Sequence, residues 1–351
     1  MKKYFIYLLI SVLFLSFSSK NIFAGNEQRA GQAGAGELLI NPWARSSGWG
    51  GVNVASIHGL EAMFLNVAGT AFTKSTELIF AKTELFTGLN NGVSLNSFGF
   101  SQKVGETGVI CMAVTAVNFG EVNITTVENP DGGYGTYSPS YSNIGISYAK
   151  EFSNSIYGGV TIKLISESIS DLKSSGVAFD AGIQYVTGKS EQIKFGITMK
   201  NVGPTVKCEG DGMSLRATPP SGIIMTMEHR SADFELPSLI KIGVAYDLTF
   251  GIDHLVTLAG NFTSNSFTRD QFHGGLQYSY KEILILRGGY VHEKEIDDVE
   301  KAATMFKGPT AGFSIQIPLN KEKGSTFSFD YSYRDTYNFD GVHSFGVKIS
   351  M

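Results

Sequence analysis

The stretch Ile193-Lys194-Phe195-Gly196-Ile197-Thr198-Met199-Lys200 sets an apolar residue at every odd position and a polar or small one at every even position. Successive side chains of a β-strand leave opposite faces, so these eight residues have one oily face and one polar face. Residues 156–167 read the same way, with Ile156, Val160, Ile162 and Leu164 opposing Thr161, Lys163 and Glu167. In 177–186 Val177, Phe179, Ala181, Ile183 and Tyr185 oppose Asp180, Gly182 and Gln184; in 240–248 Ile240, Ile242, Val244, Tyr246 and Leu248 oppose Lys241, Gly243 and Asp247. Residues 272–280, 310–317 and 326–333 repeat the pattern. Weaker versions occupy 77–82, 93–102, 109–119, 143–152, 255–262 and 283–292, and the fourteenth segment, 343–351, ends on Met351.

The gaps between segments carry a second signal. Short connections (103–107, 153–155, 187–192, 249–253, 281–282 and 318–324) alternate in phase with longer ones (84–92, 120–142, 168–176, 202–239, 263–271, 293–308 and 334–342). An outer-membrane barrel needs roughly 9–11 residues per strand, apolar toward lipid, with short periplasmic turns and longer outer loops. A soluble sandwich has no reason to hold that phase. The expected fold class is therefore all-β: a 14-stranded antiparallel transmembrane β-barrel over residues 75–351. Composition agrees, with 17% charged residues against roughly 25% in soluble domains, and with 12% aromatics. Tyr148, Phe152, Tyr185, Tyr246, Phe250, Tyr278, Tyr280, Tyr290, Tyr331 and Tyr333 fall near strand ends, where amphipathic rings suit a lipid–water boundary.

Residues 1–24 read as a secretory signal: Lys2 and Lys3, an apolar run from Tyr4 to Phe17 shorter than the roughly 20 residues of a membrane helix, and a cleavage point after Ala24. The formal net charge is −4, and loss of Lys2, Lys3 and Lys20 makes the remainder more acidic. There is no basic stripe, so nucleic acid is not expected as a partner. Residues 25–74 are Gly-rich and not strand-like. Leu60, Met63, Phe64 and Val67 fit one side of a short helix within 59–68, and the whole segment reads as a small N-terminal plug inside the lumen.

Two stretches in this segment carry a resemblance. Ala44-Arg45-Ser46-Ser47-Gly48-Trp49-Gly50-Gly51-Val52-Asn53-Val54-Ala55 resembles the opening of the FadL-like outer-membrane barrels, and Ala62-Met63-Phe64-Leu65-Asn66-Val67-Ala68-Gly69 resembles their Trp-Asn-Pro-Ala-Gly segment, with Leu65 and Val67 in place of Trp and Pro. More narrowly, Gly99-Phe100-Ser101-Gln102-Lys103, Ile144-Gly145-Ile146-Ser147-Tyr148-Ala149, Lys200-Asn201-Val202-Gly203-Pro204 and Leu286-Arg287-Gly288-Gly289-Tyr290 resemble the PorV/PorQ family of the type IX secretion system of Bacteroidota. That resemblance implies a non-enzymatic outer-membrane component binding secreted cargo, through C-terminal signal domains, or translocon partners. A FadL-like transporter of hydrophobic small molecules, or a barrel adaptor in another outer-membrane assembly, are the alternatives.

No catalytic motif or metal-ligand spacing accompanies these patterns, and no cofactor is expected. His273 is the one histidine on a clearly inward face, with Gln277 and Ser279, and reads as a polar lumen residue. The candidate site residues are of three kinds. Trp43, Arg45 and Asn66 belong to the plug. Lys163, Asp180, Lys194, Lys200, Lys241, Asp247, Asp330 and Lys348 face inward and are expected to form one network with each other and with Arg45. The inward glycines Gly182, Gly196, Gly243, Gly275, Gly312 and Gly346 leave room for a plug or ligand. Met213, Leu215, Ile223, Ile224, Met225 and Met227, in the longest loop, are candidate partner contacts. Cys111 and Cys208 could pair only if that loop folds back. The acidic run Glu293, Glu295, Asp297, Asp298 and Glu300 reads as a solvated outer loop.

Overall fold

A computed structural model describes residues 25–87, 92–220, 222–320 and 324–351; the leader at 1–24 lies outside them. The described strands, in chain order, are β1 (Thr76–Glu84), β2 (Ser94–Val104), β3 (Gly108–Asn118), β4 (Val122–Asn123), β5 (Thr136–Tyr137), β6 (Ser140–Ser153), β7 (Ile156–Ile169), β8 (Leu172–Thr187), β9 (Ile193–Val202) and β10 (Cys208–Glu209). They continue with β11 (Ser214–Ala217), β12 (Met225–Glu228), β13 (Leu239–Phe250), β14 (His254–Asn265), β15 (Gln271–Tyr280), β16 (Leu284–Glu293), β17 (Phe306–Asn320), β18 (Ser325–Thr336) and β19 (Val342–Ser350).

Fourteen of these make the wall, in the order β1-β2-β3-β6-β7-β8-β9-β13-β14-β15-β16-β17-β18-β19, every neighbour antiparallel. The last returns to the first, from Glu77 opposite Ser350 to Glu84 opposite His343. The cylinder is therefore closed and leaves no edge, which is what a sheet in lipid requires. The remaining strands belong to connections: β4 pairs β5, β11 pairs β12, and β10 extends the upper end of β8.

The polarity of the wall is inverted relative to a soluble sheet. On β8 and β9, Ile183 and Ile197 are 58% and 54% exposed on the outer surface, whereas Gln184 and Thr198 beside them are buried inward. Phe80, Ile146, Ile162, Ile242, Leu276, Ile315 and Phe345 continue the outer apolar belt around the cylinder. A continuous apolar surface of this extent marks a wall solvated by acyl chains.

One connection differs from the expected spacing. The loop anticipated at 168–176 is a tight turn, with Ser170 and Asp171 alone joining β7 to β8 and Ser170 at φ 50°. The strands run past the apolar belt, pairing Ser166 with Ser175 and Glu167 with Ser174. Above the belt the outward positions are themselves polar, at Ser166, Lys173 and Ser175, so periodicity ends before the strands do. The register of β8 against β9 shifts between Phe179 and Ala181. There Asn201 takes φ 57°, and its N–H donates to the Asp180 carboxylate at 2.8 Å. A bulge of this kind re-aims the neighbouring side chains inward.

Candidate functional site

The segment before β1 enters at the long-loop end and descends through the lumen. Glu27 meets Arg269 in the β14–β15 connection, and Thr73 reaches Ser101 close to the short turns. Among the described residues its α-helical turns are Ala44–Ser47 and Ala62–Leu65, the second followed by a 3-10 stretch, Val67–Phe72. Polar wall atoms hold it by backbone groups. Gln184 Nε2 donates to the Val54 and Ile57 carbonyls, each at 3.1 Å. Asn66 Nδ2 donates to the Val54 and Ile183 carbonyls at 3.0 and 3.1 Å, while its Oδ1 accepts from Ala68 N–H. His273 Nδ1 lies 2.8 Å from the Gly50 carbonyl, which fixes that nitrogen as the protonated one; Nε2 then accepts from Thr263. Histidine at this position fastens the segment.

Close approach explains two of the inward glycines. A Cβ at Gly196 would stand 2.5 Å from the Val54 carbonyl oxygen and 2.8 Å from Ala55 Cα, both backbone atoms. A Cβ at Gly182 would fall 2.1 Å from Asn66 Oδ1. Elsewhere the contact is apolar: Trp43, Leu60 and Met63 form a buried cluster with Ile79, Ala81, Val109 and Cys111 of β1 and β3. The inner face of β1 is thus oily at this level, because it meets the segment rather than water.

The expected single charge network is instead several separate contacts. Arg45 Nε lies 3.1 Å from Asp330 and 3.4 Å from Glu61, and its Nη2 donates to Ser328. Lys163 pairs with Asp180 at 2.6 Å and donates to Asn201. Lys194 pairs with Asp247 at 2.7 Å, and Lys348 pairs with Glu77 at 3.0 Å. Glu77 also accepts from Leu60 N–H at 2.7 Å. Lys200 makes no ion pair among the described residues; its ammonium sits 3.5 Å from the centre of the Phe64 ring. Lys241 lines a cavity described below. The groups that separate these pairs, Glu61 and Glu77 and also Arg287, escaped the reading of the sequence. Arg287 donates to Gln277 and Ser314. It lies on the inner face of β16, whose alternation at 283–292 is among the weaker ones; Glu61 lies in an irregular segment without periodicity.

Two cavities flank the segment. One of about 220 Å³ opens near the short turns among Arg45, Glu61, Arg287, Lys194, Asp247 and His58 and is strongly polar. The other, of about 270 Å³, lies toward the long loops. Leu39 and Ile40 of the segment face Leu85, Leu239, Met305 and Phe306 across it, with Lys241, Arg334 and Glu293 at its wall. The Arg334 guanidinium lies over the Phe306 ring at 3.5 Å, and its Nε is buried without a hydrogen-bond partner among the described residues.

With the closed fourteen-strand wall and its internal N-terminal segment established, solved structures of the same architecture are informative. A structure titled as the CymD monoaromatic hydrocarbon channel superposes with a TM-score of 0.53 at 13% identity, covering 89% of this chain and 97% of that one. The Ralstonia pickettii toluene transporter TbuX gives 0.53 at 11% identity, covering 89% and 98%. A Pseudomonas aeruginosa FadL homologue gives 0.52 at 11%, covering 87% and 97%. The fold is that of the FadL-like barrels. No family model and no curated protein matches the sequence. The similarity is therefore one of architecture.

The loop residues divide. Met213 and Leu215 are half-buried, while Ile223, Ile224, Met225 and Met227 are exposed on or near the β11–β12 hairpin. The same loop also folds inward lower down, where Val206 and Leu236 join Leu38, Leu95, Tyr141 and Ala178 in a buried cluster. Cys111 and Cys208 are both free thiols: one lies on β3 toward the short turns, the other at the opposite end of the barrel.

Proposed function

We propose that this chain is an outer-membrane channel of the FadL-like kind that admits small hydrophobic molecules carrying an acidic group. The observation that carries the reading is the 270 Å³ cavity on the long-loop side, with apolar walls on both the segment and the barrel, where two cations, Lys241 and Arg334, outnumber the one carboxylate, Glu293. An engineered apolar cavity of about 150 Å³ takes up benzene, so this volume suits a single ring with a short acidic chain. A carboxylate there would be paired by the Lys241 ammonium and the Arg334 guanidinium. Transport without covalent chemistry is consistent with the named relatives in structure, which are a hydrocarbon channel and a toluene transporter. Binding of 3-phenylpropionate to the purified barrel, compared with 3-phenylpropanol, tests it. Lys241→Met or Arg334→Met should weaken the acid more than about tenfold, the loss of one charged hydrogen bond of roughly 1.5–3 kcal/mol, and leave the alcohol unchanged. Equal binding of acid and alcohol, or no binding of either, removes the reading.

A second reading is favoured by the exposed Ile223, Ile224, Met225 and Met227: a PorV/PorQ-like component of a Bacteroidota-type secretion translocon that docks cargo C-terminal signal domains or translocon partners. Deleting the gene and assaying surface cargo separates the two, since normal display in the deletion strain excludes docking of secreted proteins as its role.

A further inference from the structure

The cavity of about 220 Å³ near the short turns is lined by more hydrogen-bond donors than its own acceptors use. The acceptors are engaged. Asp247 accepts from Lys194 on one oxygen and from Thr257 on the other, each at 2.7 Å. Gln277 Oε1 accepts from Arg287 Nε at 2.8 Å. The two lining carboxylates each have a lining cation, Asp247 with Lys194 and Glu61 with Arg45, and Arg45 is shared with Asp330. The third lining cation, Arg287, is 6% exposed and has no ion pair among the described residues. Two of the five N–H groups of its guanidinium go to neutral oxygens, those of Gln277 and Ser314. Lys194 makes one hydrogen bond with its three donors. The Gln277 amide nitrogen and both ring nitrogens of His58 have no hydrogen bond among the described residues, although both residues line the cavity. Other unpartnered atoms of lining residues, Trp49 Nε1, Asn53 Oδ1, Ser56 Oγ and Glu61 Oε2, are covered.

A buried guanidinium with neutral partners alone lacks the counter-charge that would repay its desolvation. The group that fits its planar fork is a carboxylate, which has one negative charge and two oxygens to accept from parallel N–H groups. Here the remaining donors of Gln277 and Lys194 border the same space. Half of the wall is apolar, at Ile57, Leu255 and Ile285, so a carbon chain is accommodated behind the headgroup. We propose that this cavity is a binding site for a small monocarboxylate, with Arg287 receiving the carboxylate. An engineered cavity of about 150 Å³ holds benzene, so this volume suits a chain of about two to four carbons. A multiply charged anion is disfavoured by Glu61 and Asp247 in the lining, and an ammonium by acceptors that are already in use. His58 is exposed and stacks on Phe72 with ring centres 3.9 Å apart, leaving its edge toward the cavity accessible. No residue lines both this cavity and the one bounded by Lys241 and Arg334, so the two assignments can fail separately.

The test uses the full barrel in a neutral detergent, with butyrate as probe and butanol, n-butylammonium and sulfate as comparators, by calorimetry. Butyrate should bind about tenfold or more tightly than any comparator. Arg287→Gln should reduce its affinity about tenfold or more, and Arg287→Lys, which keeps the charge without the fork, should recover part of the loss. Unchanged heat-modifiable migration on a gel verifies that each variant is folded. The second readout is local: butyrate should slow modification of His58 by diethyl pyrocarbonate, followed on its peptide by mass spectrometry. That protection should persist in Lys241→Met, Arg334→Met and vanish in Arg287→Gln. A barrel whose butyrate binding depends on Arg287 while 3-phenylpropionate binding ignores Lys241 keeps this site and loses the other. Absence of butyrate binding, affinity unchanged in Arg287→Gln, equal affinity for butanol, preference for sulfate, or His58 protection that vanishes with Lys241 and Arg334 overturns the assignment.

Discussion

Replacing Arg45 with Ala is the most direct perturbation of the internal segment. The guanidinium lies between Asp330 on the wall and Glu61 on the segment, and both of those carboxyl groups have side chains no more than 5% exposed. Removing one partner of a buried pair costs about 3–5 kcal/mol, because the remaining charge is left uncompensated. Arg287 remains close by and offsets part of that, so about 2–3 kcal/mol is the working figure. At 1.36 kcal/mol per factor of ten, the displaced arrangement of the segment becomes roughly 30- to 150-fold more populated. The Gln184, Asn66 and His273 contacts are untouched and keep the segment from being lost altogether. In planar bilayers the variant should show open events at correspondingly higher frequency than the parent. The triple variant Arg45→Met, Glu61→Gln, Asp330→Asn removes the orphaned charges and should return toward parental closure. Unchanged conductance in Arg45→Ala, or a triple variant as leaky as the single, refutes the view that this charge cluster holds the segment in place.

Other expectations follow from the same contacts. Gly196→Ala drives a Cβ into the Val54–Ala55 backbone and should cost about 1–3 kcal/mol in overpacking, whereas Gly288→Ala, which meets no atom within 4 Å, should behave as the parent; thermal unfolding in detergent compares them. Lys163→Met strands Asp180 and should lower stability by about 3–5 kcal/mol, with Lys163→Met, Asp180→Leu recovering much of it in urea titrations. The Glu27 carboxyl is held below its ordinary value by hydrogen bonds from Arg269 and then Lys294. A depressed value means the clasp is complete above pH 4.5 and is lost as pH falls further, so hydrogen exchange of residues 25–32 should accelerate on acidification below that point and be insensitive to it in Glu27→Gln.

Much of the wall was legible because lipid imposes a strict rule. A strand with acyl chains on one side and packed lumen on the other must alternate, so residues 193–200 of β9 were legible without any partner in view. Legibility failed where that rule lapsed. The ends of β7 and β8 rise above the belt, where the outward residues Ser166, Lys173 and Ser175 are polar and the period is lost, so the connection reads as a loop. The inner face of β1 lost its polarity because Trp43 and Leu60 lie against Ile79 and Ala81. For the site, alternation gave the inward direction of Lys163, Asp180, Lys194 and Asp247 and left their partners open. Which lysine meets which carboxylate depends on the stagger of adjacent strands and on one bulge at Asn201, neither of which is local in sequence. Glu61 and Glu37 belong to the irregular segment, whose course is set by the wall glycines, by Gln184 and by His273.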